Sequence, residues 1–366
     1  MANKPVKIKR NTSVSGKKWQ RRMAAKKLLS VLLVLGALLA IGFFGAPAVV
    51  EMLGNMGQPD SESIAPPAEP TPTPTPENTD SSSDSETVQE VVETQQVYAA
   101  LTYADLANEA AMQQKAQELA AKGVTRATVA LKDRDGLVHF DTQTAIGAQA
   151  KATSLVDVKL AVKVFAQQDI TLVAEIYTFM DKNAPVIDRT TAVKYVGSDF
   201  NWLDSSKEFG GKPWANPASS TMQQYIADLV GEIHKLGVDN FIFSAVQLPT
   251  GYSLDKRDFG VSESALEAQL QGFINDMENK VAAFGGDAFF AFDVTAANGG
   301  DVAKYIVAPQ RLGAANMVLV GKNEDFEGVD VDALGKKLKD GFDVEKLLWW
   351  NTEADVSSEN DSVFVK

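Results

Sequence analysis

Four acidic residues at or near the ends of predicted strands could perform acid–base chemistry. They are Asp133, Asp135, Glu175 and Asp293. Hydrolysis of a glycosidic bond needs two carboxyl groups, one that protonates the leaving oxygen and one that attacks the sugar or activates water. We therefore treat these four acids as candidate catalytic residues for the cleavage of a glycan.

Each candidate acid also has a purely structural interpretation. Glu175 lies in the apolar run LVAEIYTF, where a carboxylate is either paired or has a raised pKa. Lys132 or Arg126 could be its ion-pair partner. Asp133 and Asp135 lie in the sequence KDRDG, which also favours a turn. Asp293, in the sequence AFDVT, fits an exposed position on the rim of the fold equally well as a position in a site.

Six other side chains are candidates for contact with a sugar. They are Tyr177, Trp202, Trp214, Ser244, Gln247 and Tyr252. Aromatic rings at strand ends or in loops can stack on sugar rings, and packing under a long loop is the alternative for them. A serine cannot act as a general acid near neutral pH, so only a binding role is assigned to Ser244. The segment 181–214 is long for a plain connection and predicts a lid or a binding loop.

Predicted strands and helices alternate along the region that holds these residues. The predicted strands are Val97–Leu101, Arg126–Lys132, Thr171–Phe179, Phe241–Val246, Ala288–Val294, Asn316–Val320 and Leu347–Trp350. The predicted helices are Glu109–Lys122, one opened by Ser154–Asp157, one that starts at Asn216–Pro217, Leu266–Phe284 and Asp330–Lys339. Alternation of this kind produces an α/β fold with a parallel sheet.

An open doubly wound sheet and a closed barrel both fit this alternation. About 250 residues is the usual size of a (β/α)8 TIM-like barrel. No Gly-x-Gly-x-x-Gly or Walker loop occurs in the sequence, so nothing favours an open nucleotide-binding sheet or a nucleotide as partner. We predict the barrel, incomplete or degenerate because seven strands are found. The eighth strand is either within Tyr195–Phe209 or missing.

Three short motifs in this region match the pattern of a known family. The run KDRDG at 132–136 resembles K-D-x-x-G, WANP at 214–217 resembles W-x-D-P, and FSAVQLP at 243–249 resembles F-D-Y-V-R-F-P. In this order they resemble a glycoside-hydrolase-like barrel family of bacterial cell-surface proteins, over about Val97 to Trp350. The resemblance implies a (β/α)8 barrel that acts on glycans.

The chain departs from that family at three positions that bear on chemistry. Ser244 stands where the family pattern has Asp, and Gln247 stands where it has Arg. Glu175 stands where the pattern A-R-I has Arg. These departures leave open whether the barrel hydrolyses a glycan or only binds one.

The composition excludes several other classes of function. Ten Lys and Arg residues and no acid lie in residues 1–27, which leaves 25 basic against 48 acidic residues, a net charge of −23, for residues 28–366. The acidic part is unsuited to binding nucleic acid by phosphate neutralisation. The chain has no cysteine, and its two histidines, His139 and His234, are far apart in sequence. Neither a metal nor another cofactor is predicted.

The N-terminal part predicts an export signal. Residues 28–50 carry no charge, and about 20 apolar residues suffice to span a bilayer as a helix. The basic segment before them should stay cytoplasmic, which places the rest outside. A signal peptide cleaved near Ala46-Pro47-Ala48 is the alternative.

Together these observations predict a domain organisation and three functions. The predicted segments are a cytoplasmic basic segment 1–27, a transmembrane anchor 28–50, a Pro/Ser/Thr-rich linker 51–96, a barrel 97–350 and an acidic tail 351–366. The first function is hydrolysis of a cell-envelope, extracellular or peptidoglycan-type polysaccharide. The second is binding of such a glycan without cleavage, and the third is a structural or interaction role in the cell envelope. All three place the protein at the cell membrane with its C-terminal domain extracytoplasmic.

Overall fold

A computed structural model of the chain describes residues 96–353 and the backbone of 362–364. The predicted basic segment 1–27, anchor 28–50, linker up to residue 95 and most of the acidic tail lie outside the described residues. Within 96–353 and 362–364, no helix is long and apolar enough to cross a membrane. The predicted boundaries of the undescribed segments stay predictions.

The described part has an α/β fold built on one curled parallel sheet. Its seven main strands are β1 (Gln96–Ala100), β2 (Arg126–Lys132), β3 (Thr171–Tyr177), β4 (Asn240–Ser244), β5 (Ala288–Asp293), β6 (Asn316–Gly321) and β7 (Lys346–Asn351). Each pairs in parallel with its neighbours in chain order. This confirms the predicted α/β fold with a curled parallel sheet of the TIM-barrel kind.

A three-residue strand, β8 (Ser362–Phe364), lies between the two edges of this sheet. It pairs in parallel with β1 on one side and with β7 on the other, so the strand order is that of a closed ring. The expectation that an eighth strand is either hidden in Tyr195–Phe209 or missing is therefore wrong. Lys194–Tyr195 instead pairs antiparallel with Arg257–Asp258 in a separate two-stranded sheet.

Five helices of nine residues or more connect the strands in the described part. They are α1 (Glu109–Ala121), α2 (Val158–Ala166), α3 (Ser220–Lys235), α4 (Glu263–Ala282) and α5 (Val331–Phe342). Shorter helical turns are Ala184–Ile187, Val294–Ala297 and Asn323–Phe326, with 3-10 turns at Gly147–Gln149, Arg189–Thr191, Lys207–Phe209, Leu254–Lys256 and Pro309–Leu312. Each long helix begins after an Asn, Asp or Ser that accepts a backbone N–H of the first turn, the usual way to satisfy these donors.

The predicted start of the third helix at Asn216–Pro217 is wrong. Ser219 is the capping residue, since its hydroxyl accepts the N–H of Met222 at 3.2 Å. Asn216 instead closes a turn, because its side-chain oxygen accepts the N–H of Ala218 at 2.9 Å. Both residue types cap helices well, so the sequence did not distinguish them.

Apolar side chains fill both faces of the curled sheet. One cluster packs the helices against the outside of the strands. A smaller cluster fills the lumen, with Tyr98, Val173, Ile242, Phe289, Ala291, Val318 and Leu348 buried, and Val320 and Trp350 packed against them. Because successive side chains of a strand point to opposite faces, the lumen positions identify which later residues face the same space.

Candidate functional site

The carboxyl ends of the strands bring three predicted polar residues to the lumen face. Glu175 is two residues beyond the lumen residue Val173, and Ser244 is two beyond Ile242. Asp293 is two beyond Ala291 in the same way. Active sites of TIM-like barrels are built at this end of the strands. We call the lumen positions Glu175, Tyr177, Ser244, Asp293 and Trp350 the lumen mouth.

Glu175 is the most enclosed acid of the lumen mouth. It is 8% exposed, and its Oε1 accepts the hydroxyl of Ser244 at 2.6 Å. The Tyr177 side chain forms a second hydrogen bond with it. Burial raises the pKa of Glu175 to about 7, because loss of water outweighs the two hydrogen bonds, which favour the ionised form. Near neutral pH this group can therefore give or take a proton.

The predicted ion-pair partners of Glu175 are engaged elsewhere. Lys132 is fully buried and pairs with Asp181, Nζ to Oδ2, at 2.9 Å. The Nε of Arg126 donates to Gln96 at 3.1 Å. No cation of the described segments 96–353 lies within ion-pair distance of Glu175. Its pKa is accordingly set by burial.

The backbone just after Ser244 adopts an unusual conformation. Ala245 has φ 57°, in the left-handed region that non-glycine residues seldom occupy. The carbonyl of Ser244 accepts the N–H of Thr178 at 2.8 Å and its hydroxyl at 2.9 Å. These bonds hold the end of β4 against the end of β3, and strained backbone of this kind concentrates at functional sites.

Asp133 holds a turn beside the lumen mouth. Its Oδ1 accepts the N–H groups of Asp135 and Leu137, each at 2.9 Å, and its Oδ2 lies 2.8 Å from Nε2 of His139. Burial raises the pKa of Asp133, but these hydrogen bonds outweigh it and hold the pKa below its usual value. The contacts agree with the turn interpretation, since three partners engage the two oxygens.

Asp135 lies further out, in a cleft at the rim of the barrel. We call this space, of about 460 Å³, the rim cleft, and it is lined by Arg134, Asp135, Met180, Asp181, Lys182, Asp204, Lys212, Pro213, Trp214 and Thr250. These residues follow β2, β3 and β4 or belong to the long segment 181–214. Asp135 pairs with Lys182 at 2.8 Å.

Asp293 lies two strands away from Glu175 at the lumen mouth. Its Oδ2 accepts Nζ of Lys304 at 2.5 Å, and its side chain is 37% exposed. By register Glu175 aligns with Ile242 and Ile242 with Phe289, so Asp293 is two strands across and four residues further along. The backbones of the two acids are therefore about 10 Å apart across the sheet and about 13 Å along it.

The predicted aromatic contacts differ in exposure. Trp202 is fully buried with Val193 and Trp214 in a cluster of their own, and its Nε1 donates to the carbonyl of Ser253 at 3.1 Å. Trp202 thus packs the long segment and presents no ring face to solvent. Trp214 lines the rim cleft, and Tyr252 is 58% exposed. Gln247 is buried.

Two aromatic residues near the site were not predicted. Trp350 faces the lumen two residues beyond Leu348 and aligns through Val320 with Asp293. The only sequence feature that could have indicated Trp350 is the two-residue alternation of side chains along the last strand. Tyr103 stacks on His139 with ring centroids 3.9 Å apart, and its hydroxyl donates to the carbonyl of Ala130 at 2.8 Å. The sequence around Tyr103 contains no motif that indicates a place near the site.

Comparison with known proteins gives one family match. Residues 97–306 match a family described as "Putative glycosyl hydrolase domain". No protein with a curated description matches the sequence. Within the described part of the chain, no group of three or more acidic or histidine side chains is placed to hold a metal ion.

Solved structures show weak similarity to this chain. A hypothetical protein from Ruminiclostridium thermocellum is 19% identical with a TM-score of 0.44, covering 52% of this chain and 96% of its own. The exo β-N-acetylglucosaminidase of Vibrio harveyi is 15% identical with a TM-score of 0.46, covering 70% of this chain. A chitobiase of Flavobacterium johnsoniae is 12% identical with the same TM-score and the same 70% coverage. The chain spans only 41% and 38% of these two enzymes.

Proposed function

We propose, from the premise that the chain belongs to the glycosyl hydrolase domain family matched by residues 97–306, that it binds a polysaccharide at the lumen mouth and cleaves it with Glu175 as proton donor. One observation carries the proposal. Glu175 is a buried carboxyl group at the carboxyl end of a barrel strand, with its pKa raised to about 7. Family membership supports a carbohydrate-related function. The raised pKa of Glu175 supports acid catalysis as its chemistry.

The chemistry follows from the two acids of the lumen mouth. Protonated Glu175 donates its proton to the glycosidic oxygen as the bond to the anomeric carbon breaks. Asp293 accepts a proton from a water molecule whose oxygen adds to that carbon. The backbones of the two acids lie further apart than the about 5–5.5 Å of a retaining pair and the about 6.5–9.5 Å of an inverting pair, so this route requires both side chains to extend toward the bound sugar.

The departure at Ser244 supports a relocated acid. In the family pattern an Arg stands at 175 and an Asp at 244, and in this chain the two positions contact each other through the 2.6 Å hydrogen bond. A protonated Glu and a Ser keep the pair neutral, as an Arg and an Asp would. We infer that the acid is supplied in this chain by Glu175 on β3, whose side chain contacts Ser244 on β4.

Binding without cleavage is the second candidate, and the contact of Asp293 favours it. Its carboxylate is held by Lys304, and a base that is already paired activates water less readily. The half-buried Trp350 and the rim cleft suit a bound sugar chain in both cases, since aromatic faces pack against sugar rings.

The full-length chain should be incubated with cell-wall and capsular polysaccharide fractions while reducing ends and retention on the polymer are followed together. New reducing ends from the wild type, absent for Glu175→Gln although that variant is still retained, are the expected result. Retention without new ends from the wild type would select the binding function. Absence of retention on every fraction would contradict both.

The location is part of the proposal. The uncharged run 28–50 and the basic segment before it support a single-pass anchor with the barrel outside the cell. Protease added to intact cells should remove the barrel and leave an N-terminal membrane-bound fragment. A chain that stays intact under these conditions, or that fractionates with cytosolic proteins, would contradict the anchor.

A further inference from the structure

The rim cleft brings cationic side chains together in an otherwise acidic protein. The chain has a net charge of −13, yet three of the ten residues lining the cleft are cationic, namely Arg134, Lys182 and Lys212. The net charge available to a ligand in the cleft depends on which of these side chains are already paired with neighbours.

The acids of the rim cleft are engaged. Asp135 pairs with Lys182 at 2.8 Å, and Asp181 pairs with the buried Lys132 at 2.9 Å. Asp204 accepts the backbone N–H of Lys212 at 2.7 Å and Nε1 of Trp214 at 3.2 Å. The donors to Asp204 are neutral, so it keeps its negative charge. With Lys132 included, four cationic and three acidic side chains meet at the cleft, a net charge of +1.

Arg134 and the ammonium group of Lys212 remain available. Both residues are exposed, and neither forms an ion pair with a residue of the described segments 96–353. The guanidinium of Arg134 is close enough to the Tyr177 hydroxyl to oppose the rise in its pKa caused by burial and by Glu175. Arg134 therefore lines the cleft and lies near Tyr177 of the lumen mouth.

We propose that the rim cleft selects a polysaccharide that carries anionic groups, carboxylate or phosphate, and binds them with Arg134 and Lys212. This rests on the proposed function and specifies its substrate class. The planar guanidinium offers two parallel N–H donors that suit either oxyanion, and the ammonium adds a point charge. Repulsion from the acidic surface is confined to a Debye length of about 8 Å at physiological salt, so local contacts decide binding.

Retention of the full-length chain should be compared on polygalacturonate, on poly(glycerol phosphate) and on neutral dextran. We expect at least tenfold tighter binding to one anionic polymer than to dextran. Raising the salt from about 0.1 M to about 1 M shortens the Debye length from about 10 Å to about 3 Å and should remove most of this preference. Polygalacturonate and poly(glycerol phosphate) distinguish a carboxylate from a phosphate requirement.

The double variant Arg134→Gln, Lys212→Gln should lose the preference, at least tenfold in affinity for the anionic polymer. Lys159→Gln with Lys337→Gln is the matched control, since it removes the same charge from exposed positions on α2 and α5 and should keep the preference. Equal binding of neutral and anionic polymers would overturn the inference while the proposed function stands. An unchanged preference in the double variant would also overturn it, and absence of binding to all polymers and wall fractions would contradict the proposed function.

Discussion

At about pH 8.5 the Glu175→Gln variant is expected to be more stable than the wild type by about 3 kcal/mol. Most substitutions of buried residues destabilise a protein. An increase in stability would therefore distinguish this explanation from a general effect of substitution. It follows from the raised pKa of Glu175, about 7 against an ordinary 4.5. An amide has nearly the shape of the carboxyl group, can still accept the Ser244 hydroxyl, and carries no charge that burial would penalise.

The pH dependence of this effect has a definite sign. Below about pH 4.5 the carboxyl group is protonated in both the folded and the unfolded chain, so wild type and variant differ little. Between pH 4.5 and 7 the folded chain keeps the proton that the unfolded chain has released, and wild-type stability falls as the pH rises. Above the folded pKa the folded chain ionises as well, and the loss is complete.

Denaturant midpoints at about pH 4 and about pH 8.5 measure this difference through the linear dependence of stability on denaturant. Glu278→Gln is the control. Burial also raises the pKa of Glu278, but this residue lies on the outer helix α4, away from the lumen. Its Oε1 accepts the N–H of Ala315 at 2.7 Å. If Glu175→Gln and the wild type lose equal stability between the two pH values, Glu175 does not titrate in this range. Its role as proton donor near neutral pH would then be excluded.

The same substitution should lower the rate of any glycan hydrolysis by about 100- to 10,000-fold, the usual contribution of a general acid. Activity and stability would therefore change in opposite directions in one variant. A misfolded variant would lose both. Glu278→Gln should leave the rate unchanged, and in the wild type the rate should fall on the alkaline side as Glu175 loses its proton near pH 7.

The strands were largely predictable from sequence because they are apolar runs bounded by turn residues. Arg126–Lys132 is observed as predicted, and the next strand, Thr171–Tyr177, begins as predicted and ends two residues earlier. The strand Ser362–Phe364 could not be predicted, because three residues in a polar tail carry no periodic pattern. Its strand conformation depends on the two sheet edges beside it, which exist only after the rest has folded.

The site was predictable in part for a related reason. The sequence places Glu175 in a strand, and the two-residue period puts Tyr177 on the same face. The sequence does not indicate the contact between Glu175 and Ser244, because these residues are 69 positions apart and are brought together by strand pairing. The resemblance showed departures at both positions, and only the folded structure shows that the two side chains are in contact.

The buried pair of Lys132 and Asp181 is expected to give the largest loss of stability. Both side chains are fully buried, and Asp181 Oδ1 also accepts the N–H groups of Asn183 and Ala184, each at 2.8 Å. A Cβ at Gly136 would lie 2.1 Å from this oxygen, so the surroundings fit the carboxylate closely. Asp181→Asn keeps the shape but leaves a buried, unpaired ammonium group, which should cost about 3–5 kcal/mol.

Lys132→Met should cost a similar amount, because it leaves the carboxylate of Asp181 unpaired. The double variant should lose much less than the sum of the two, since it leaves no isolated charge. Denaturant unfolding of the wild type and the three variants gives the coupling energy directly. The exposed pair of Lys336 and Asp340, at 2.8 Å, is the matched control, and its removal should not change the midpoint measurably.

This pair also determines how the rim cleft is held. Nζ of Lys132 donates to the carbonyl of Tyr177 at 2.5 Å, so one ammonium group joins the end of β3 to the first residue of the segment 181–214. Loss of Asp181 should therefore weaken glycan binding at temperatures where the barrel is still folded, because the cleft wall loses its anchor before the sheet unfolds. If binding declines only together with global unfolding, the pair stabilises the barrel as a whole and has no separate part in shaping the cleft.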